Sequence, residues 1–379
     1  MRVGSTPLLL SVGAAVVLCL GAPACSEDVG SKAAPGSSAD AGTDDGGETF
    51  TLGEEVRVAV PATGRAYVKL ASPAAVVTPA DPKTDKGWDL AFEGADVFTN
   101  GGVSGSGASN AFGPLDSVVF LEDLAPPVPF TTTDATGGAF VRWYFYEGAP
   151  NHALHSRFHV YGVKDGDRTF KVQIVGYYGE RDGAPVSALY QVRWAEVTAA
   201  GSGPIQEAKN LDGTAGGAQG GADSPGECLD LATGARAMLA PSASRTSSAW
   251  HLCFHREDIS VNGELGGPRN VGAVDLDADQ TPTETLTQVV NRDAASEQAR
   301  FDGVNAAKLA GQPFRGDRVV SAFSTLWTER GVSPLTPRKN AWFVQGADGK
   351  SKYLVGFARF EGATATSPGT VVMRVKAVR

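Results

Sequence analysis

The feature that most constrains the fold of this chain is an internal repeat of about 150 residues. Its anchor segments recur in the same order at shifts of 162 and later 181 to 184 positions: Trp88-Asp-Leu-Ala-Phe92 with Trp250-His-Leu-Cys-Phe254, Asn100-Gly101 with Asn262-Gly263, Trp143 with Trp327, and Asp165-Gly166 with Asp348-Gly349. Two such sets at nearly constant shifts indicate a tandem duplication. We name residues 50–199 copy 1 and residues 227–379 copy 2, and we expect each copy to form its own domain.

Each copy has the residue pattern of β-strands. In copy 1, Trp88, Leu90 and Phe92 alternate with less apolar residues, which is typical of a half-buried strand. Asn-Gly and Asp-Gly pairs supply the backbone conformations that tight hairpin turns need. The only helix indicated is 296–310, which begins at a Ser cap and is weakened by Gly303. The sequence therefore predicts an all-β, mainly antiparallel protein with long loops and at most one short helix.

The N-terminal residues have the pattern of an export signal. Arg2 precedes an apolar run over residues 7–20, and small residues then lead to Cys25, so we interpret residues 1–24 as a signal peptide. A cysteine at this position is typical of bacterial lipoproteins, in which its thiol is acylated. We therefore expect an exported outer-membrane or cell-surface lipoprotein, with Cys25 as the lipid anchor. The alternative is ordinary cleavage after Ala24, which would give a secreted or periplasmic soluble protein.

Two stretches are too polar and too rich in Gly to form a core. Residues 26–49 contain no aromatic side chain, so we predict that 25–49 is a lipidated cysteine followed by a disordered tether. Residues 200–226 are predicted to be a Gly-rich linker between the two domains.

Charge and motifs exclude several functional classes. The formal net charge of -9 argues against binding to nucleic acid, whose phosphates require a basic surface. The sequence contains no nucleophile elbow, phosphate-binding loop or HExxH zinc motif. We therefore expect a protein that is not an enzyme.

Several segments of copy 1 resemble the HmuY-like family of bacterial surface lipoproteins, and copy 2 is similar but more divergent. The segments that carry the resemblance are WDLAF at 88–92, DVFTNGG at 96–102, WYFY at 143–146, FKVQIVGYY at 170–178 and VRWA at 192–195. The resemblance implies two tandem all-β domains and a hemophore-like function, with heme or a related tetrapyrrole as the ligand. A host heme-protein is then a possible partner.

The resemblance also implies positions for the heme ligands, since family members that bind heme use axial side chains that are often histidines. His155 and His255 occupy such positions. Copy 1 has Glu93 where copy 2 has His255, and we align His155 with Arg338 of copy 2. Neither copy thus holds both histidines. A ligand pair would then be shared between domains, or a histidine would act together with Met238 or Met373.

A transition-metal site and a structural role are the alternatives to heme binding, and a disulfide is in turn the alternative to the metal site. His251, Cys253 and His255 alternate along one strand, so their side chains share a face and could bind a transition metal such as Zn or Cu. Cys253 could instead form a disulfide with Cys228, because these are the two cysteines left after Cys25 in an exported chain. The chain could also be a structural or adhesion protein that kept the fold and lost the heme site.

Overall fold

The computed structural model describes residues 50–217, 220–221 and 223–378. The predicted signal peptide, the tether and Cys25 lie outside this range. Within it, the chain is mostly β-structure and its sheets are antiparallel, which confirms the predicted all-β class.

The strands of the N-terminal half are short except for two long neighbours, β11 and β12. In chain order they are β1 Glu54–Ala59, β2 Ala66–Lys69, β3 Ala75–Val77, β4 Leu90–Glu93, β5 Asp96–Thr99, β6 Asn110–Asp116, β7 Ala135–Gly137, β8 Tyr144–Tyr146, β9 Leu154–Ser156, β10 Val160–Asp165, β11 Arg168–Arg181 and β12 Ala184–Thr198. The remaining strands are β13 Gly201–Ser202, β14 Gln206–Asp212, β15 Gly226–Leu229, β16 Arg236–Leu239, β17 Leu252–His255, β18 Asp258–Val261, β19 Gly272–Asp275, β20 Arg318–Val320, β21 Asn340–Gln345, β22 Lys352–Glu361 and β23 Thr370–Ala377.

The helices correct the expectation of at most one. The described residues form five helices of four or five residues: α1 Ser117–Leu121, α2 Pro241–Ser244, α3 Leu286–Val290, α4 Gln298–Asp302 and α5 Ala306–Leu309. The helix predicted over 296–310 is broken into α4 and α5. Gly303 ends the first, and Asn305 begins the second by accepting a hydrogen bond from the backbone N–H of Lys308. Because Asn305 caps α5, a single helix cannot continue through this position.

The strands are grouped into two lobes, and neither lobe is one contiguous copy. Lobe 1 consists of residues 50–134 and 321–378, with sheets ordered β1-β23-β22-β21-β6 and β3-β2-β4-β5. Its core joins both stretches, and Leu90 and Phe92 of copy 1 pack with Trp342 and Val355 of copy 2. Burial of these apolar side chains holds the two stretches together.

Lobe 2 consists of residues 138–317, which are continuous in the chain. Its main sheet is ordered β13-β12-β11-β10-β19, with β14 also paired to β12, and its second sheet is β16-β15-β17-β18. Its core joins Tyr161 and Trp194 of copy 1 with Leu252 and Phe254 of copy 2. Each lobe thus combines the first part of one copy with the second part of the other, in place of the contiguous division expected at 50–199 and 227–379.

Matching hydrogen bonds show this exchange directly. The indole N–H of Trp143, in copy 1, donates to the backbone carbonyl of Glu257, in copy 2. The indole N–H of Trp327, in copy 2, donates to the backbone carbonyl of Ala95, in copy 1. The donors are 184 positions apart and the acceptors 162, as the repeat requires. The two copies therefore make the same contact, each with the other copy.

The chain crosses between the lobes twice, and the two crossing strands pair with each other. Residues 135–137 form β7, residues 318–320 form β20, and Thr136 lies opposite Val319. These residues correspond at a shift of 183 positions, so Thr136 pairs with its own counterpart. This pair therefore lies on an approximate two-fold axis that relates the copies.

The predicted linker is partly a strand. Gln206–Asp212 forms β14 and pairs with β12, and Leu211 is buried in the lobe 2 core. The two apolar residues of this segment, Ala208 and Leu211, are three positions apart because the pairing with β12 is irregular between them, so the sequence lacks period-two alternation there.

Candidate functional site

A hairpin at one end of lobe 2 carries a concentration of aromatic side chains. Strands β8 and β9 pair so that Phe145 lies opposite His155 and Tyr146 opposite Leu154. Tyr144 and Leu154 pack against the lobe 2 core, so the alternation of strand side chains places Phe145 and His155 on the other face. We name as the aromatic tip this set of six exposed or half-exposed residues: Tyr144, Phe145, Tyr146, His152, His155 and Tyr178.

His155 is held by a carboxylate. Its Nε2 lies 3.0 Å from Oε2 of Glu147, and 29% of its side chain is exposed. The hydrogen bond from His155, followed by one from Asn151, lowers the pKa of Glu147, which therefore stays ionised. A carboxylate that accepts one imidazole N–H fixes the ring and leaves the lone pair of the other nitrogen for a metal. Glu147 therefore orients the ring of His155 through Nε2.

The rest of the tip is fixed by short contacts. The backbone N–H of Leu154 donates to the hydroxyl of Tyr178 at 2.9 Å, which ties the hairpin to β11. The hydroxyl of Tyr146 is hydrogen bonded to Nδ1 of His152. Residue 152 has a φ of 53°, in the left-handed region, so it closes the turn with its ring stacked on Tyr146. These contacts hold flat rings at the surface of lobe 2.

The corresponding hairpin of lobe 1 has different chemistry. Backbone hydrogen bonds fix the alignment: Arg157 donates to Trp143 and Arg338 donates to Trp327, so Arg338 corresponds to Arg157. The sequence alignment of Arg338 with His155 is therefore wrong by two residues, and Thr336 takes the place of His155 in lobe 1. The positions of Tyr144, Phe145, Tyr146 and Tyr178 are taken there by Thr328, Glu329, Arg330 and Glu361. The aromatic character belongs to lobe 2.

The exchange of halves places both predicted heme ligands in lobe 2, but on opposite sides of it. In β17, Leu252 and Phe254 face the core, so His255 faces away from it. His155 also faces away from that core, on the other sheet layer. The core thus lies between the two imidazoles, and they do not converge on a common site. Burial lowers the pKa of His255, with nearby Arg256 adding to the effect.

Two of the three predicted metal ligands, Cys253 and His251, make structural contacts. Cys253 forms a disulfide with Cys228, as one of the two sequence readings expected, so its sulfur is not a free thiolate. His251 is fully buried, and its Nδ1 accepts a hydrogen bond from the backbone N–H of Leu231 at 3.1 Å. Among the described residues, no group of three or more His, Cys, Asp or Glu side chains is placed to hold a metal ion.

The sequence analysis missed a buried ionic network beneath the hairpin. His159 contacts Asp275 through Nδ1 at 2.9 Å and Glu284 through Nε2 at 3.3 Å. Burial opposes its charge, but these two carboxylates outweigh burial and raise the pKa of His159 to about 9. Burial opposes the charge on Glu284, but the hydrogen bonds from His159, Arg292 and Arg157 outweigh burial and lower its pKa to about 2.

This network supports the aromatic tip. Arg157 binds Glu284 and also lies over the ring of Phe145, 5.0 Å from its centroid. Helix α3, whose Val289 is buried, packs against β8 and β9. No local motif could reveal the network, since Glu284 and Asp275 lie more than 110 positions after their partner His159.

No helix in the described part of the chain is both long and apolar enough to span a membrane. The sequence matches no model of a known protein family and no curated protein.

Proposed function

We propose that this chain is a non-enzymatic, surface-tethered binding protein whose aromatic tip takes heme or a related tetrapyrrole. One observation carries the proposal: of two hairpins related by the repeat, the one in lobe 2 has Tyr, Phe and His where that of lobe 1 has Thr, Glu and Arg. Aromatic rings that are partly exposed at a surface favour a flat, largely apolar ligand. The resemblance to HmuY-like proteins suggests the same ligand class.

His155 is the iron ligand that this geometry favours. It lies on the same face of the hairpin as Phe145 and is oriented by Glu147, whereas His255 lies on the opposite side of the core. The protein then supplies one axial ligand, and the other axial position of the iron is left to water or to a partner. Lobe 1 and the disulfide-bonded sheet of lobe 2 act as scaffold.

Titration of the purified protein with hemin tests the proposal. We expect a Soret band to sharpen and shift with one equivalent of hemin, and His155→Ala to abolish this change. His255→Ala is the matched control, since it removes the same group on the other side of lobe 2, and it should leave the band intact. An unchanged hemin spectrum with wild-type protein would favour a structural or adhesion role.

The tether is tested separately. If Cys25 is acylated, Cys25→Ser should move the protein from the membrane fraction to the soluble exported fraction. Wild-type protein that begins at an unmodified Cys25 and is already soluble would contradict a lipid anchor.

A further inference from the structure

The outer face of the main sheet of lobe 2 buries two cations. Phe170 and Val172 pack in the lobe 2 core, so the side chain of Lys171 between them lies on the opposite face. Lys171 is 2% exposed. Arg193 of β12, whose two chain neighbours also pack in that core, lies on the same outer face and is 4% exposed. Lysine and arginine are almost never buried to this extent unless they are paired.

Neither cation forms an ion pair with a carboxylate in the part of the chain that the structure describes. The ammonium of Lys171 donates to the backbone carbonyl of Val304 at 3.4 Å and lies 4.7 Å from the centroid of the Phe301 ring. The guanidinium of Arg193 is 4.8 Å from the same centroid, and its Nη2 has no hydrogen-bond partner among the described residues. Burial lowers the pKa of both side chains, and the charge of Asp302 offsets only part of this effect. Both cations thus lack the anion that would compensate for their burial.

The fold itself does not require a buried lysine at this position. The repeat aligns Lys171 with Leu354, which packs in an apolar cluster on the outer face of the lobe 1 sheet. Lys376 lies opposite Leu354 on that face, and it forms an ion pair with Asp123 at 2.6 Å. Lobe 1 therefore has an apolar residue where lobe 2 has Lys171, and it pairs the lysine that it does carry there.

A cleft lies beside the buried cations on the same face of the sheet. Its volume is about 530 Å³, within the range of about 300–1,000 Å³ that is typical of ligand pockets. Thr169 and Val197 line it, and Lys171 lies two residues after Thr169 along β11, about 7 Å away. Leu309 and Phe314 also line the cleft and supply apolar surface.

The charged residues that line the cleft largely offset one another. Lys164 and Asp167 are both exposed and opposite in charge, and Glu196 forms an ion pair with Arg168 at 2.8 Å. The uncompensated charge is therefore the buried positive one. A ligand that suits both parts of this region has an apolar body and one anionic head group.

We propose that lobe 2 binds a small organic acid with an apolar chain in this cleft, with its carboxylate on the ammonium of Lys171. The chain packs against Leu309 and Phe314. Lys171 exchanges its bond to the Val304 carbonyl for the stronger bond to a carboxylate, and the charge of Arg193 adds to the attraction. The segment between α4 and α5 shifts to admit the head group.

Calorimetric titration of the full-length protein with octanoate tests this site. We expect wild-type protein to bind octanoate and to bind octanol, which has the same chain without the carboxylate, about tenfold or more weakly. This comparison needs no variant. Failure to bind octanoate, or equal affinity for octanol, would refute the proposal.

Lys171→Leu tests the ammonium itself. Leu354 shows that the outer layer of this fold accommodates leucine, so the variant should fold without loss of melting temperature and bind octanoate about tenfold or more weakly. Lys164→Gln is the matched control, because it removes the same charge from an exposed side chain that lines the cleft, and its affinity should stay within about twofold of wild type. Unchanged affinity in Lys171→Leu, or a tenfold loss (about 1.4 kcal/mol) in Lys164→Gln, would overturn the assignment of the head group.

Discussion

The reciprocal indole contacts predict that a tryptophan substitution in one copy loosens strands of the other. Trp327→Phe removes the hydrogen bond to Ala95 and leaves that carbonyl without its donor. Such a loss costs about 1–3 kcal/mol. Local opening should become roughly 5- to 150-fold more frequent. We therefore expect faster amide hydrogen exchange in β4 and β5 of copy 1.

Three variants make this measurement decisive. Trp143→Phe should produce the same effect in β17 and β18 of copy 2, because its indole donates to Glu257. Trp342→Phe is the control, since its buried indole N–H has no hydrogen-bond partner within the described part of the chain. Trp342→Phe should lower the free energy of unfolding only through the loss of side-chain packing. If Trp327→Phe instead loosened β17 and β18 and left β4 and β5 protected, each copy would fold on itself and the exchange would be wrong.

Three further predictions follow from the same architecture. A protease site placed between Gly217 and Asp223 should give a cleaved protein whose two fragments elute together in size-exclusion chromatography and separate only in denaturant, because each lobe contains parts of both copies. If each copy folded independently, the fragments would separate without denaturant. Replacing Cys228 and Cys253 with Ala opens a loop of 25 residues and should lower the free energy of unfolding by about 3 kcal/mol. Urea unfolding measures this loss, and hydrogen exchange should show lobe 2 losing protection first. An unchanged urea midpoint would contradict the prediction. Folding raises the pKa of His159 from 6.5 to about 9. Protonated His159 therefore stabilises the folded state by about 3 kcal/mol below pH 6.5, and this contribution is lost as the pH rises to 9. His159→Gln should flatten that part of the profile of unfolding free energy against pH, and an unaltered slope would refute the assignment.

The strand content was predictable because period-two alternation and Asp-Gly turns act over a few residues. Gly166 and Gly349 have positive φ in the turns that join β10 to β11 and β21 to β22. The expected Asn-Gly hairpins are wrong, because the strands on either side of each pair belong to different strand pairs. The side chains of Asn100 and Asn262 instead donate to the carbonyls of Trp88 and Trp250. The sequence left Cys253 as either a metal ligand or a disulfide partner. The pairing of β15 with β17 favours the disulfide, because it places Cys228 directly opposite Cys253.

The exchange of halves could not be read from the sequence. The two copies have the same pattern, so a strand of copy 1 fits the sheet of copy 2 as well as its own, and local periodicity cannot distinguish the two pairings. The positions of the predicted heme ligands relative to each other could not be predicted either. The family resemblance selected His155 and His255, but only the strand faces show that a core separates them.

The insertion of lobe 2 into lobe 1 sets an order for folding during synthesis. Residues 50–134 are made first, yet the strands that complete their sheet begin only at Asn340. At about 5–20 residues per second, the roughly 200 intervening residues take on the order of 10–40 s to synthesise. Lobe 2 can close during that interval, while β1 and β6 wait with unpaired edges. These edges are where a chaperone or a neighbouring nascent chain would meet this protein first.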